Sequence, residues 1–238
     1  MSNYNQNPSN NNLWIVIGSL AFILIILFGL NWILMRNNKN DSEIINKVVN
    51  DHTTKGDAKA KVKLVEYADF QCPACAAQVS NLKKLFTEIN AEYGSSSLSV
   101  TYKYFPLIQI HKNAMLASQS VEAAGLQGKF WEMHDLVFTN QTDWAEALDA
   151  KIKLENYATE LGMDLDKFKL ERDSEVVKNK ISDSYKEAVK IGLNHTPTIF
   201  LNGVEVKDLG ELKNSILEKL NVTTSTPTSN SASVSAAN

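Results

Sequence analysis

Apolar and polar residues alternate through Val62-Lys63-Leu64-Val65-Glu66-Tyr67, and the branched side chains there suit a strand. The period then changes. Apolar residues recur at Val79, Leu82, Leu85, Phe86, Ile89 and Tyr93 with helical spacing, and Gly94 is a natural stop. Residues 98–105 alternate again, so the chain opens on a βαβ unit. From about 112 to 191 the pattern is helical almost throughout. Ala114, Ala117, Val121 and Ala124 make one small-residue face, and residues 130–138 form another helix. Tyr157, Ala158 and Leu161 lead to a stop at Gly162; Val177, Ile181, Tyr185, Ala188 and Val189 lead to one at Gly192. Thr198-Ile199-Phe200-Leu201 is a strand, Asn202-Gly203 a hairpin turn, and Val204-Glu205-Val206 its partner. Asp208, with Glu211 three residues on, predicts a capping box for a last helix from about Leu209. The predicted fold class is α/β: a small sheet in two halves, βαβ and ββα, separated by a helical insert.

The flanks read differently. Residues 13–35 are an uncharged run of 23 residues, roughly 35 Å as a helix, enough for a bilayer core of about 30 Å. Trp14 and Trp32 lie near its ends, where interfacial aromatics belong. The run exceeds the core of a signal peptide, no basic side chain precedes it, and no small-residue cleavage site follows. The expectation is one uncleaved transmembrane helix after a polar stub, 1–12. Residues 36–57 form a tether with a short apolar patch (Ile44, Ile45, Val48, Val49), 58–221 the domain, and 222–238 a flexible Ser/Thr/Asn tail. Arg36, Lys39, Lys47 and Lys55 follow the span, and the positive-inside rule taken literally puts the domain in the cytoplasm. The cysteine chemistry argues for the opposite side.

Composition narrows the function. The 238 residues carry 24 Lys plus Arg against 27 Asp plus Glu, a net charge of −3, which argues against a nucleic-acid surface. Hydrophobic residues at 44% and charged ones at 21% exclude wholesale disorder. Two cysteines exclude a disulfide-stapled framework and a four-cysteine zinc site. Both fall in Cys72-Pro73-Ala74-Cys75. Zinc would need two further ligands, and His52, His111, His134 and His195 are scattered rather than paired, so no metal is expected. A structural disulfide closing so short a loop would be an inefficient staple.

A redox couple has a physical basis. A thiol at a helix N-terminus faces unpaired N–H groups and the positive dipole end, which stabilise its thiolate. Pro73 suits the first helical turn. Cys72 would then be the exposed attacking sulfur and Cys75, one turn in, the deeper resolving thiol. Cys75 needs a base, and Glu66, six residues before Cys72, interrupts an apolar strand; the alternative for Glu66 is a solvent-facing strand position. His195 stands near Pro197, either as a cationic neighbour of the thiolate or as a plain loop residue. His111 and His134 read most simply as helix-surface or packing residues.

The segment Val65-Glu66-Tyr67-Ala68-Asp69-Phe70-Gln71-Cys72-Pro73-Ala74-Cys75 resembles the active-site strand and helix start of the DsbA-like branch of the thioredoxin superfamily. Thr196-Pro197-Thr198-Ile199-Phe200-Leu201-Asn202-Gly203 resembles that family's cis-proline segment, and the stretch containing Phe130-Trp131-Glu132-Met133-His134 resembles its helical insert. The resemblance implies a thioredoxin-like fold, Cys72 as nucleophile, Cys75 as resolving cysteine and Glu66 as proton acceptor. It also implies a cis Thr196–Pro197 bond and a substrate edge at Thr196 and Pro197. Separately, an apolar groove near Phe70 and Pro197 is expected to hold peptide, with Phe70 as a substrate-binding residue. No cofactor is implied beyond the Cys72–Cys75 disulfide. The implied activity is protein thiol:disulfide exchange on cysteine-containing exported proteins, with a quinone-linked membrane oxidase as redox partner and a membrane-tethered domain outside the cytoplasm. Ala74 replaces the His that DsbA has between its cysteines, so DsbA's strongly oxidising poise does not transfer. A reductase or isomerase of the same fold, and an anchored peptide-binding module without catalysis, are the alternatives.

Overall fold

The structure is a computed structural model that describes residues 52–221 together with 26, 28 and 29. Those last three are helical. The rest of the expected span 13–35, the stub 1–12, most of the tether 36–57 and the tail 222–238 lie outside the described residues. No helix among the described residues is long and apolar enough to cross a membrane.

Strand β1 (Thr54–Lys55) is followed by β2 (Val62–Ala68), helix α1 (Pro73–Tyr93) and β3 (Leu98–Tyr104). Six helices come next: α2 (Ala114–Leu126), α3 (Phe130–Thr139), α4 (Gln141–Trp144), α5 (Ala150–Glu160), α6 (Leu165–Arg172) and α7 (Glu175–Lys190). The chain closes with β4 (Thr198–Leu201), β5 (Val204–Glu205), a 3₁₀ turn (Leu209–Glu211) and α8 (Leu212–Lys219). The strands lie in the order β1-β3-β2-β4-β5, so β2 is central. It runs parallel to β3, the pairing a helical crossover such as α1 permits, and antiparallel to β4.

A central strand covered on both faces buries nearly every side chain, and β2 exposes only Lys63. Val62 and Leu64 pack with Leu82, Leu85 and Ile89 of α1 and Leu212 and Ile216 of α8. Val65 and Tyr67 face the other way, onto Ala188 of α7 and Phe200. The insert caps the carboxyl end of the sheet, where Ala68, Tyr102 and Tyr104 join Ala117, Val121 and Ala124 in one core. The small-residue face of α2 lets that helix approach closely.

Three local expectations need correction. The tether 36–57 contributes β1, paired antiparallel with β3 (Thr54↔Thr101, Lys55↔Val100), so the sheet starts before residue 58. Two residues are too short to show alternation. Strand β5 stops at Glu205, although Val206 N still donates to Ile199 O at 2.8 Å. The capping box does not form. Asp208 Oδ1 accepts from Gly210 N at 2.8 Å, while Glu211 Oε2 accepts from Asn214 Nδ2. The tighter 3₁₀ turn brings the second N–H, not the third, within reach of Asp208.

The hairpin turn does more than reverse the chain. Asn202 and Gly203 both have positive φ, 48° and 81°, the pair of left-handed residues that a type I′ turn requires. Asn202 Oδ1 also accepts from Lys63 N of β2 at 2.8 Å. Asn202→Ala therefore loses both the left-handed tolerance and the link to the central strand. The expected cost is about 1–2 kcal/mol in urea unfolding, with Asn202→Gly costing less because it keeps the backbone conformation.

Candidate active site

The turn from β2 into α1 is built around a buried carboxylate. Asp69, with no exposed surface, accepts from Gln71 N (2.8 Å), Leu107 N (2.8 Å) and His111 Nδ1 (2.7 Å). Gln71 ties the turn to the insert: its Nε2 donates to Ala145 O and Glu146 Oε1, and its Oε1 accepts from Asn113 N. Gln141 Nε2 donates to Phe70 O (2.8 Å) and Cys72 O (3.0 Å). The backbone leading to the cysteines is thus held from the sheet side by Asp69 and from the insert side by two glutamines.

Cys72 is the N-cap residue of α1, with Pro73 in the first turn and Cys75 behind it. Both are free thiols. Cys72 keeps 8% of its surface and Cys75 none, so the expected exposed sulfur is only just reachable, while the difference between the two holds. Cys72 Sγ donates to Thr196 O at 3.5 Å, and the Thr196–Pro197 peptide bond is cis. The Cys72 thiol is lowered to about 5, chiefly by the hydrogen bond from the Cys75 thiol and against the effect of burial. The backbone of Cys75 and Ala74 at the helix start adds to this. Cys75 moves the other way. Burial raises it first, then its bond to Cys72 and the nearby charges of Cys72 and Glu66.

Glu66 lies on β2 between Tyr102 of β3 and Ile199 of β4, on the α1 face. Only 3% of it is exposed, and its buried Oε1 has no hydrogen-bond partner. Burial raises its carboxyl to about 8. The solvent-facing alternative is excluded, and Glu66 is a neutral-range acid whose charge acts on Cys75.

The structure therefore brings together Cys72, Cys75, Glu66 and Thr196 with Pro197. Phe70 is a correction: expected in a substrate groove, it is wholly buried. Its ring stacks on Tyr102 and lies tilted against Phe138, each at 4.8 Å between centroids, because the side chain turns inward from the Asp69 turn to fill the space under the insert. His134 is a packing residue, edge-on to Phe70 and Tyr102. His111 is not a surface residue but a donor to Asp69. His195 stays in its loop, bonded to Asn194. Among the described residues no group of three or more His, Cys, Asp and Glu converges as metal ligands would. Asp69, Gln71, Asn113 and Gln141 were not singled out in the sequence; only Asp69 left a signal, an Asx turn two residues before Gln71.

Residues 47–219 match the family described as Thioredoxin. Na(+)/H(+) antiporter NhaA 1 of Mycolicibacterium gilvum is 37% identical over 157 residues, 64% of this chain and 23% of that protein. Na(+)/H(+) antiporter NhaA of Herminiimonas arsenicoxydans is 34% identical over 153 residues, 64% of this chain and 22% of that protein. The chain thus spans less than a quarter of the length of these curated relatives. Among solved structures, oxidised BdbD from Bacillus subtilis aligns with a TM-score of 0.62 at 21% identity, over 71% of this chain and 92% of that one. Wolbachia pipientis α-DsbA1 aligns with a TM-score of 0.63 at 20% identity, over 76% and 96%. Pseudomonas aeruginosa DsbA2 aligns with a TM-score of 0.56 at 22% identity, over 72% and 95%. At these identities the likeness to the solved structures establishes a shared fold.

Two titrations check the electrostatics. Thiolate absorbance of the reduced protein should rise with a midpoint near 5 and vanish in Cys72→Ser. Glu66 binds a proton more tightly folded than unfolded, so stability should fall as pH rises from about 4.5 to about 8 and then level off. Glu66→Gln removes that slope. It should leave stability unchanged near pH 4 and raise it by roughly 4 kcal/mol at pH 8 in chemical unfolding.

Proposed function

The chain belongs to the thioredoxin family and has its α/β fold with a helical insertion, and from that premise we propose that it is a protein thiol:disulfide oxidoreductase that introduces disulfides into exported proteins. The observation that carries this reading is the opposite treatment of two thiols one helical turn apart, one ionised near neutrality and one kept protonated.

In the oxidising direction a client thiolate attacks Cys72 Sγ of the Cys72–Cys75 disulfide, and Cys75 leaves as a thiolate that takes a proton from Glu66. A second client thiolate attacks the client sulfur of the mixed disulfide, forming the client disulfide and releasing Cys72 as a thiolate. One disulfide is reduced and one formed. A stabilised Cys72 thiolate favours the reduced enzyme and so makes its disulfide more oxidising. Thr196 and Pro197, flanking Cys72, are the edge on which an extended client backbone would lie. Reoxidation would fall to a quinone-linked membrane partner, with the domain tethered outside the cytoplasm by residues 13–35.

A second reading, disulfide reduction or isomerisation, is favoured by the basic residues after that span, which argue for a cytoplasmic domain. Antiport, the activity in the names of the longer relatives, is not carried over, because the match reaches so little of their length.

Cys72→Ser should abolish oxidation of a reduced model substrate, and Cys75→Ser should accumulate mixed disulfides that a reductant releases. The reduction potential of the Cys72/Cys75 couple decides direction. A value nearer the roughly −120 mV of DsbA than the roughly −270 mV of thioredoxin is expected; one near the lower value would overturn the oxidising assignment in favour of reduction.

A further inference from the structure

In the exchange proposed above Cys75 must pass through a thiolate, and most of its surroundings oppose one. It has no exposed surface and lies in an apolar cluster with Ala68, Phe70 and Tyr102. Burial, the bond to Cys72 and the charges of Cys72 and Glu66 all raise its thiol. Against them works the backbone of Asp69, which hydrogen-bonds the Cys75 sulfur and lowers it.

The sheet leaves that N–H available. A central strand has ladder partners on both sides, but β4 begins at Thr198, opposite Tyr67. On the β3 side the pairing runs one residue further, to Ala68 opposite Tyr104, and Phe105 N donates to Ala68 O at 2.9 Å. The peptide joining Ala68 to Asp69 therefore has its carbonyl tied to β3 and its N–H past the end of β4. In a planar trans peptide the two groups point in opposite directions. Fixing the carbonyl thus fixes the N–H, which meets Cys75 in the first turn of α1.

The same carbonyl has a second donor. Tyr102 Oη donates to Ala68 O at 3.1 Å. The hydroxyl keeps its hydrogen, since burial and then the charges of Cys75, Asp69, Glu66 and Cys72 raise it well above the ordinary phenol range. Its ring is held in place, opposite Glu66 in the β2–β3 register and stacked 4.8 Å from Phe70. Phe105 N already pairs the carbonyl, so the backbone does not need the hydroxyl. What the hydroxyl adds is polarisation, because a peptide whose oxygen accepts a further hydrogen bond is a stronger donor at its nitrogen.

We propose that the Ala68–Asp69 peptide is the donor that stabilises the Cys75 thiolate, and that Tyr102 is a positioning residue that strengthens this donor through Ala68 O. The role rests on the exchange reaction assigned to Cys72 and Cys75 above. In the resolving step Cys75, having yielded its proton to Glu66, attacks Cys72 Sγ of a mixed disulfide. The Cys72–Cys75 bond forms as the mixed disulfide breaks, and the electron pair leaves on the departing sulfur. When a client thiolate opens the Cys72–Cys75 disulfide, the pair moves onto Cys75 and the Asp69 N–H already faces the charge as it develops.

The test mixes the reduced full chain with one equivalent of an aromatic disulfide, dithiobis-nitrobenzoate. Cys72 attacks it and releases one thionitrobenzoate, and Cys75 then displaces the second. Two thiols become one disulfide while the reagent's disulfide becomes two thiolates. Tyr102→Phe removes the hydroxyl and keeps the ring. It should slow the second release about threefold near pH 7 and move the rise of that step with pH upward. The first release and the Cys72 thiolate absorbance should stay at their wild-type values. Tyr104→Phe is the control, because that hydroxyl, in the same aromatic cluster, donates to Glu122 Oε2 of the insert at 2.7 Å; its second release should match wild type. In ¹⁵N-labelled protein the Asp69 amide proton should move upfield in Tyr102→Phe and stay in place in Tyr104→Phe. Equal second releases in wild type and folded Tyr102→Phe, or equal slowing in both variants, overturn the role of Tyr102. A wild-type Asp69 amide that exchanges with solvent as fast as an open peptide overturns the hydrogen bond, and that measurement needs no variant to fold. A wild type that makes the first release and never the second overturns the exchange reading itself, a failure told apart by needing no comparison with Tyr102→Phe.

Discussion

The site depends on a carboxylate that takes no part in the chemistry. Asp69 sits where the central strand must stop and turn into a helix, buried, with its oxygens taken by three N–H donors from its own turn, the loop after β3 and His111. An ionised carboxylate without such donors would cost several kcal/mol to bury. With them it becomes a rigid corner, because losing any one donor leaves charge uncompensated. Cys72 directly follows Gln71, donates its own N–H to Asp69 O at 3.0 Å and is fixed as the N-cap of α1. Gln71 and Gln141 carry the same constraint into the insert, so the helices between β3 and β4 set the backbone of the reactive turn as well as covering the sheet.

Glu66, on the same strand, is treated in the opposite way. Asp69 is saturated with donors, whereas Glu66 Oε1 has none and its carboxyl rises to about 8. The contrast follows from position. Asp69 is at the strand end, where loop N–H groups are unpaired, while every backbone donor near Glu66 is committed to the ladders with β3 and β4. The result is an ordered set of proton affinities, with Cys72 lowest, Glu66 near neutrality and Cys75 highest. Part of what raises Cys75 is its bond to Cys72 and the Cys72 charge. A mixed disulfide at Cys72 would remove both, so the Cys75 thiol would become easier to ionise at the stage where the proposed exchange needs it as a nucleophile.

Much of this was legible in the sequence, for local reasons. Strand β2, helix α1 and β3 follow from a change of period, and the Asn202-Gly203 turn from two residues that tolerate positive φ. The cysteines at a helix start, and an acid interrupting an apolar strand, were enough to select Cys72, Cys75 and Glu66. What stayed hidden is tertiary. Gln141 reaches Phe70 across 71 residues and Gln71 reaches Ala145 across 74, and no spacing rule connects such pairs. Strand β1 carries no alternation because it is two residues long. Phe70 misled because an aromatic residue beside a reactive cysteine reads equally well as a groove wall or as core, and only the insert packed over it decides.

The burial of Phe70 changes where recognition can take place. With that ring locked among Tyr102, Tyr104, His134 and Phe138, it is a support for the turn and cannot move to meet a bound chain without emptying the core. The surface beside Cys72 is left to the exposed Pro73 and Ala74 and the partly exposed Thr196 and Pro197. These groups offer one backbone edge and apolar side chains but no charge, a surface that grips main chain and apolar contacts more readily than any particular sequence. On the function proposed above, selectivity for a client would depend less on a side-chain pocket than on whether the client can present an extended, accessible thiol to a sulfur that itself has only a sliver of surface.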